Sequence, residues 1–505
     1  MHAWISLSLG MLLVASLPYW LPNAILSFRA GIFTRINGEE GIAIPGKLVD
    51  AAHFKQVYSH PAANGRSRGA ALSDLFWYWL SPGPEMHQEH IESGPRYEEV
   101  ERTTRRILGI SRKAAEELTT RCVSRVLSQE ILGDVKIVRL RDLIMPAWAE
   151  FYYELVFGVP CSPIARDLIV GNAHDVVTAL KCCGLRHMEK RERLTNFLLR
   201  KLQSGEIPHV LPEGLSIKER AFYLQGAFFN TAVVQMSEAM AHLLMAIAQH
   251  LDVQARLASN LEDDRYLDHV IAETLRVYPL FGISHRIASA DIPLDDGVAI
   301  PKESVLCFNH SEFHRASFQD HDRFNPGRWE QLSLHYENYI PFGVAANRPC
   351  PASGLAPVTM GAAARELIKR FELFSSASHI RSIPNRGPCL LVSRQSDYSQ
   401  TLRRLRLLLL RLCDRWEDVW RSVVQLILGT FMVWDARRQK LCQNYFEAQQ
   451  PHDTCPLGRA QQIPDHALSI RSTQTPAMLR ARKQNPLSIT NEASEVNSQA
   501  GDQHG

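Results

Sequence analysis

A single cysteine in a loop of small residues constrains this chain more than any other feature. The loop runs from Phe342 to Ala352 and holds Cys350, with Arg348 two residues before it. The apolar, small-residue segment 353–366 follows and is predicted to be largely helical. A nearby guanidinium, backbone N–H groups and a helix N-terminus all stabilise negative charge on sulfur. The loop therefore suits a thiolate that binds a metal, although an isolated cysteine is more often a small buried hydrophobic residue.

Two motifs precede this loop along the chain. Glu273 and Arg276 lie three residues apart in a predicted helix, so they share one face and can form a charge-assisted pair. The segment 324–329 then supplies Arg328. In this order the motifs resemble those of the cytochrome P-450 family of heme-thiolate monooxygenases. Its Glu-x-x-Arg helix, its Pro-x-Arg-Trp-like segment and its heme-binding loop all have counterparts here.

The resemblance covers approximately residues 45–393 and implies a mostly α fold with small β-sheets, the cytochrome P-450 fold. It implies that heme b is the cofactor and that Cys350 is the axial ligand of its iron. Further candidates for heme binding are Arg348, Phe342, Arg286 and His285. The resemblance also implies a structural role for a buried carboxylate between two guanidiniums, formed by Glu273, Arg276 and Arg328.

Other arginines could meet a heme propionate from the charged helical run predicted over 96–127. The candidates are Arg102, Arg105 and Arg106, but the aromatic residue that usually precedes this arginine in the family is absent. For any one of them, a solvated helix face is the more common explanation.

The cysteine loop departs from the family pattern in two ways. Phe342 is one residue further from Cys350 than usual, although the Arg-x-Cys spacing is kept. Ala346 and Ala352 stand where glycines are expected. Because a methyl group restricts the backbone, both alanines must have φ below zero or tolerate strain. The ligand role of Cys350 is compatible with these changes, whereas the hydrogen bonding that tunes the sulfur is left open.

A second departure concerns the helix that crosses the heme in the family. Ser216 and Glu219 form a predicted capping box, which opens a long apolar helix to about His250. The family carries an acid–threonine pair there. Counting back from 250–254, the positions of threonine, acid and small residue fall on Gln235, Val234 and Ala232. Asn230 and Thr231 lie about one turn earlier and could take part if the register differs.

This departure leaves the oxidant open. An amide cannot relay a proton as a hydroxyl does, but it can position water. Oxygen activation could therefore use a water chain held by Gln235 or a hydroxyl of the substrate, or the enzyme could use no dioxygen at all. Gln235 could also simply bond a carbonyl in the helix groove.

Length, charge and cysteine content exclude several other classes. The 505 residues, of which 45% are hydrophobic, can bury a large core, and a net charge of +3 gives no sign of nucleic-acid binding. The ten cysteines show no repeated Cys-x-x-Cys spacing. This argues against a disulfide scaffold and a structural zinc site and fits a reducing compartment.

Both ends of the chain suggest contact with a membrane. Residues 1–22 are predicted to be an N-terminal membrane-anchor helix, and the cations Arg29, Arg35 and Lys47 that follow favour a cytoplasmic catalytic domain. Microsomal members of the resembled family carry such an anchor, so the resemblance implies attachment to the endoplasmic reticulum membrane. A buried N-terminal helix is the alternative.

The C-terminal extension alternates arginines with leucines and tryptophans over 399–448. This pattern predicts a basic amphipathic helix that lies on an anionic membrane surface, with packing on the catalytic domain as the alternative. Residues 449–505 are polar and are predicted to be disordered.

The resemblance implies a monooxygenase that inserts one oxygen atom from dioxygen into an apolar small molecule. Electrons would come from a separate NADPH-cytochrome P-450 reductase, because no flavin-binding or nicotinamide-binding segment is visible. The unusual oxygen helix and the predicted anchor favour secondary metabolism. Two alternatives remain: a reductase-independent heme-thiolate isomerase or dehydratase that acts on hydroperoxides, and a non-catalytic heme-binding protein.

Overall fold

The computed structural model describes residues 2–37, 41–66, 71–80, 91–131, 133–280, 282–294, 297–334, 336, 338–377, 379 and 388–449. The predicted disordered tail lies outside the described residues, except for Gln449. The fold is mostly helical with small sheets, as the sequence predicts.

The helices of the first half of the chain are α1 (His2–Asn37), α2 (Phe54–Ser59), α3 (Ala71–Leu80), α4 (Pro95–Leu108), α5 (Arg112–Glu130), α6 (Leu140–Phe157), α7 (Pro163–Leu180), α8 (Met188–Gln203) and α9 (Ile217–Leu224). A π-helix, Gln225–Ala232, continues α9 directly. The later helices are α10 (Val233–Gln249), α11 (Leu251–Ser259), α12 (Asp264–Val277), α13 (His310–Ser317), α14 (Arg328–Gln331), α15 (Ala356–Arg370), α16 (Gln400–Gln439) and α17 (Leu441–Gln449).

The strands are short and form small sheets beside the helices. They are β1 (Ile42–Ile44), β2 (Val135–Arg139), β3 (Ile283–Ile287), β4 (Ile292–Pro293), β5 (Ala299–Ile300), β6 (Val305–Asn309), β7 (Phe371–Phe374) and β8 (Pro388–Ser393). One sheet has the order β1-β6-β3, a second has the order β2-β8-β7, and β4 pairs with β5. β1 is parallel to β6, and the other pairs are antiparallel.

The helix α10 forms the centre of the main core. It is apolar on nearly every face, and its side chains are buried from Met236 to Ala248. A helix without a polar face must be enclosed by protein or membrane. Here α6, α12 and α15 pack around it.

The long helix predicted from Ser216 begins as expected. The Ser216 side chain accepts from the Glu219 amide, and the Glu219 carboxylate accepts from the Ser216 amide, which completes the predicted capping box. The helix then changes to π geometry over Gln225–Ala232 before α10 resumes the ordinary pitch. A π segment places an extra residue in the turn and commonly occurs at functional sites.

The predicted helix over 96–127 is divided into α4 and α5. Gly109 ends α4, and the Ser111 side chain caps α5 by accepting from the Ala114 amide. A glycine followed closely by an N-cap serine stops one helix and starts the next.

The two terminal helices pack against each other. Arg29 of α1 donates to the Gln425 side chain of α16 at 3.1 Å. In the described part of the chain, two helical stretches are long and apolar enough to cross a membrane, Ser6–Arg29 and Ile217–Gln249. The second is 83% buried and is the core helix, whereas the first is only 17% buried.

Candidate active site: a cavity with a cysteine wall and a helix wall

One cavity brings together five of the eleven site residues that the sequence singles out. The cysteine loop and the start of α15 form one wall, with Phe342, Arg348, Cys350 and Ala356. The π-helix and α10 form the opposite wall, with Thr231, Ala232 and Gln235. We call these two sides the cysteine wall and the helix wall.

The cysteine loop is fixed by hydrogen bonds at both of its ends. The Cys350 amide donates to the Phe342 carbonyl at 3.0 Å, which closes the loop on itself. The side-chain nitrogen of the buried Asn347 donates to the carbonyls of His60 and Ala63 at 3.0 and 3.1 Å. The position of the sulfur therefore depends on a distant segment of the chain as well as on the loop.

The strained backbone conformation of this loop lies at Arg348 and not at Ala346 or Ala352. Among the described residues, Ala346 and Ala352 are not in the positive-φ set, whereas Arg348 has φ of 51°. A left-handed conformation costs a non-glycine residue roughly 1–2 kcal/mol. The Arg348 guanidinium lies 4.1 Å from the centre of the Tyr97 ring, a cation–π contact that holds the side chain beside the cavity.

The helix wall contains two of the three residues proposed for oxygen activation. Gln235 and Ala232 line the cavity, and Thr231 lines it four residues before Gln235. Asn230 is buried and is not among the lining residues. Its side-chain nitrogen donates to the Leu80 carbonyl at 3.4 Å. The structure therefore brings Thr231 to the cavity and turns Asn230 away from it.

Behind the helix wall lies a buried amide network that the sequence did not reveal. Asn172 of α7 donates to the Asn230 side-chain oxygen. The Gln225 side-chain nitrogen donates to the Asn172 side-chain oxygen at 3.0 Å and to the Arg191 carbonyl at 3.0 Å. Thr195 of α8 donates to the Gln225 side-chain oxygen at 2.5 Å. These bonds tie the two ends of the π-helix to α7 and α8.

The structure does not bring His285 and Arg286 to the cavity. The Arg286 guanidinium is buried and donates to the Tyr58 carbonyl at 2.7 Å and the Asn347 carbonyl at 3.2 Å. The His285 ring lies 3.2 Å from the Arg66 carbonyl and stacks on Phe76. In this position both residues hold loops and strands together.

The arginines of α4 also point elsewhere. Arg105 pairs with Glu101 at 2.8 Å, Arg106 donates to the Val210 carbonyl, and Arg102 is exposed. The side chains that α4 presents to the cavity are Thr104 and Leu108.

A buried charge cluster links α12 to the segment 325–329, which precedes the cysteine loop along the chain. Arg276 makes a two-point contact with the Glu273 carboxylate, at 2.9 Å for each bond. Arg328 donates to the same carboxylate at 3.2 Å, and the Trp329 ring nitrogen donates at 3.1 Å. The Asn325 amide completes the set at 2.8 Å. The structure thus brings together the three charged residues that the sequence groups.

Burial holds the two histidines and Tyr152 of the cavity neutral. Burial lowers the pKa of His310 to about 3, with the positive charges of His314 and Arg286 as lesser causes. Burial likewise lowers the pKa of His314 to about 4. Burial raises the pKa of Tyr152, and the negative charge of the Cys350 thiolate raises it further. The positive charge at the cavity therefore comes from arginine.

Sequence reasoning missed several residues at this site. Arg66 and Tyr152 line the cavity, and Asn347 anchors the loop. Arg66 belongs to no recognisable motif, and Tyr152 lies in a helix that is buried almost throughout. Of these three residues, Asn347 is the one that the sequence could have pointed to. It stands beside Arg348 in the loop, and a buried side-chain amide there needs hydrogen-bond partners.

The donor set fits an iron porphyrin with two carboxylates. The Cys350 sulfur is a ligand for iron, and the guanidiniums of Arg66 and Arg348 suit the carboxylates. Apolar side chains from both walls, such as Leu275 and Met360, suit the faces of a flat ring. Among the described residues, no group of three or more His, Cys, Asp or Glu could hold a bare metal ion instead.

Comparisons with known proteins agree with this fit. The family model described as Cytochrome P-450 matches residues 187–401. A putative cytochrome P-450 135B1 of Mycobacterium tuberculosis is 30% identical over 162 residues, which cover 30% of this chain and 34% of that protein. Cytochrome P-450 71D8 of Glycine max is 30% identical over 211 residues, 35% of this chain and 40% of that protein. The chain thus matches well under half the length of these curated relatives.

A solved structure shows the same fold. The cyanobacterial CYP120A1 with bound retinoic acid superposes with a TM-score of 0.55 at 15% identity, covering 68% of this chain and 88% of that one. The family model ends beyond the cysteine loop and includes the Glu273 cluster, so sequence match, fold and site geometry coincide. These three concordant observations support the cytochrome P-450 family for the part of the chain that the family model matches.

Proposed function

We propose that this protein is a heme-thiolate monooxygenase that inserts one oxygen atom from dioxygen into an apolar small molecule. The observation that carries the proposal is the position of Cys350, on a closed loop facing a largely apolar cavity. When bound, heme b supplies a redox-active iron whose thiolate ligand favours O–O cleavage. Cys350 would hold that iron, while Arg348 and Arg66 would hold the propionates.

The helix wall would direct proton transfer without the acid–threonine pair that the family carries at this position. Gln235 stands at the threonine position and can hold a water through its amide, although it cannot relay a proton itself. Thr231 offers a hydroxyl one turn earlier on the same wall. Ala232 keeps the space between them small and apolar. A water shared by the Thr231 hydroxyl and the Gln235 amide is the proton route that these residues favour.

The proposal also includes a redox partner, a class of substrate and a cellular location. Electrons would come from a separate NADPH-cytochrome P-450 reductase, and the substrate would be apolar, like the retinoic acid bound by the cyanobacterial neighbour. The exposed apolar helix α1 supports attachment to the endoplasmic reticulum membrane with a cytoplasmic catalytic domain. The altered oxygen helix suits secondary metabolism.

A second candidate is an isomerase or dehydratase that acts on hydroperoxides without a reductase. Val234 and Gln235 favour it, because a peroxide brings its own oxygen and needs no proton relay from the protein. The non-catalytic heme protein has no comparable observation in its favour.

The ligand role of Cys350 is tested by spectroscopy of the reduced, carbon-monoxide-treated protein. We expect a thiolate-type Soret band for the native chain and its complete loss for Cys350→Ser. The exposed Cys413 provides a matched control, because Cys413→Ser makes the same chemical change away from the cavity and should keep the band. A native protein without this band would refute the proposal.

The oxidant is tested by two parallel incubations. One contains a reductase, NADPH, isotopically labelled dioxygen and apolar probes such as lauric acid; the other contains a fatty acid hydroperoxide alone. We expect labelled product in the first. Turnover of the hydroperoxide without reductase would favour the second candidate.

A further inference from the structure

The C-terminal third of α16 packs on α3 through apolar side chains. One cluster of buried side chains joins the two helices, and it includes Met432, Val433 and Ala436 from α16 and Leu75 and Tyr78 from α3. Met432 and Ala436 are each 0% exposed. Residues three and four positions apart share one face of a helix, so this face of α16 is turned toward the protein. The contact is therefore part of the core.

Two polar contacts fix the place where these helices meet. The Tyr78 hydroxyl donates to the Asp435 carboxylate at 2.9 Å, and both residues are buried. The Asp74 carboxylate accepts from the backbone amides of Cys442 at 2.9 Å and Gln443 at 3.3 Å. These amides lie in the first turn of α17, where N–H groups have no partner within the helix. Asp74 therefore caps α17, and α3 is bonded on both sides of the corner between α16 and α17.

Arg186, in the loop between α7 and α8, contacts both α3 and α16. Its guanidinium carbon lies 3.3 Å from the centre of the Tyr78 ring, and one of its nitrogens donates to the Tyr78 carbonyl at 2.8 Å. Another nitrogen donates to the Gln439 side-chain oxygen of α16 at 3.4 Å. A displacement of α16 from α3 would therefore disturb this arginine as well as the apolar cluster.

The C-terminal end of α3 bonds to the helix wall of the cavity. The last four carbonyls of a helix have no partner within it. Here the Trp79 carbonyl accepts from Arg191 of α8 at 2.6 Å. The Leu80 carbonyl accepts from the Asn230 side chain of the π-helix at 3.4 Å. The helix that the C-terminal segment packs on is thus the same helix that holds Asn230.

Asn230 determines how the π-helix faces the cavity. Its side chain is bonded to Leu80 on α3 and to Asn172 on α7, whereas Thr231, the next residue, lines the cavity. The peptide unit between adjacent residues is planar and stiff. The bonds that turn Asn230 toward α3 and α7 therefore also set the direction of the Thr231 side chain.

Neither α3 nor the end of α16 lies in the part of the chain that the family model matches, residues 187–401. The contacts between them follow from this chain's own residues.

We propose that residues 432–443, the C-terminal corner, position the helix wall of the cavity through α3. The corner holds α3, the Leu80 carbonyl of α3 holds Asn230, and Thr231 stays in the cavity. Tyr78 and Asp435 are positioning residues in this scheme, because they act through α3 and are not among the residues that line the cavity. The expected effect on turnover rests on the proposed function, whereas the structural coupling does not.

The first experiment measures amide hydrogen–deuterium exchange in the full chain. Ala436→Arg places a long charged side chain at a fully buried position between α16 and α3. We expect exchange to rise at least about tenfold in α3 and in Gln225–Ala232, while α5 stays at the native rate. Thr401→Arg adds the same side chain at an exposed position of the same helix and should exchange like the native chain. Faster exchange in α3 alone, with the π-helix unchanged, would overturn the coupling.

A milder pair of variants decides the question even if Ala436→Arg does not fold. Asp435→Ala removes the acceptor of the Tyr78 hydroxyl and leaves the apolar cluster in place, so exchange in both segments should rise about threefold. Asp435→Asn keeps an acceptor oxygen and should restore the native rate. An unchanged π-helix in Asp435→Ala, or equal exchange in the two variants, would remove Asp435 from the proposal.

The second experiment measures the fraction of consumed NADPH that ends in product, in variants whose carbon-monoxide spectra match the native protein. Asn230→Ala removes the side chain through which α3 reaches the π-helix. We expect this fraction to fall about threefold in Asn230→Ala and in Asp435→Ala, and no further in the double variant. A double variant in which the two losses multiply would overturn the route through Asn230. If the native protein shows no thiolate-type Soret band, the proposed function fails, and the exchange rates still decide the coupling.

Discussion

The cysteine wall keeps the Arg-x-Cys spacing and its charges despite the extra residue after Phe342, whereas the helix wall lacks the polar pair that its position carries in the family. In the cluster that precedes the cysteine loop along the chain, the Glu273 carboxylate receives five N–H donors from four residues. On the helix wall, Val234 and Gln235 stand where an acid and a threonine are expected. Under the proposed function, the first wall positions a ligand, whereas the second directs protons, for which water and other donors can substitute.

The two walls also use different kinds of buried polar contact. The cysteine wall relies on a buried ion cluster, in which removal of one partner leaves an uncompensated charge. The helix wall relies on neutral amides that hold the π-helix, where a lost bond costs less. We therefore expect damage to the first to abolish cofactor binding, and damage to the second to change reactivity while heme is retained.

The largest effect is expected for Glu273→Ala. Two buried guanidiniums would lose their carboxylate, which costs about 3–5 kcal/mol of stability. We expect protein that fails to hold heme, measured as the ratio of Soret to protein absorbance. Glu330 is an exposed control whose contact with Arg256 lies on the surface, so Glu330→Ala should cost at most about 1 kcal/mol. Normal heme content in Glu273→Ala would contradict the supporting role of this cluster.

The next largest effect is expected from acid, which should destabilise the fold through His314, a buried residue that lines the cavity. Burial lowers the pKa of His314 from 6.5 to about 4, so below pH 6.5 the unfolded chain binds a proton that the folded chain refuses. Stability is therefore lost as the pH falls from 6.5 toward 4. At pH 5 this loss is about 2 kcal/mol, at 1.36 kcal/mol per pH unit.

This loss of stability is measured by urea unfolding at pH 7 and pH 5, with His314→Gln compared with the native chain. The variant cannot take up the proton, so it should lose less stability on acidification. Equal losses in both proteins would show that His314 titrates normally in the folded state.

The cysteine wall is easier to predict from the sequence than the helix wall. Glu273 and Arg276 are neighbours on one helix turn, so their contact needs only helical periodicity. Cys350 is recognisable because a metal ligand has fixed chemistry. Arg286 occupies a motif position as well, yet its guanidinium is drawn to backbone carbonyls of the segment around Tyr58. The partners that the Arg286 guanidinium contacts depend on tertiary packing, and no local sequence pattern predicts them.

The helix wall was harder to predict for a physical reason. An unbroken apolar pattern predicts an α-helix, and the π segment depends on Asn172 and Thr195, which lie on other helices. The same limit applies to α16. Its alternation of leucine and arginine is visible, but the face that turns inward is decided by partners such as Lys181.

The amide network behind the helix wall should show an intermediate effect. Asn172→Ala removes a donor to Asn230 and an acceptor for Gln225, and each unpaired buried group costs about 1–3 kcal/mol. We expect lower thermal stability with a normal thiolate-type Soret band. Asn444→Ala, at an exposed position of α17, is the matched control. Loss of heme from Asn172→Ala would show that the two walls are not independent.

The smallest effect on stability, and the sharpest test of the division between the walls, is expected at Gln235. Its side chain lines the cavity, so Gln235→Leu should change stability by less than about 1 kcal/mol and leave heme content unchanged. If the amide holds a water for proton delivery, reductase-driven product should fall at least tenfold in this variant. Gln235→Thr restores a hydroxyl and should retain turnover. Hydroperoxide turnover, where the peroxide supplies the oxygen, should be equal in all three proteins. Full reductase-driven turnover by Gln235→Leu would show that the Gln235 amide is not needed. The proton route would then use the Thr231 hydroxyl on this wall or a hydroxyl of the substrate.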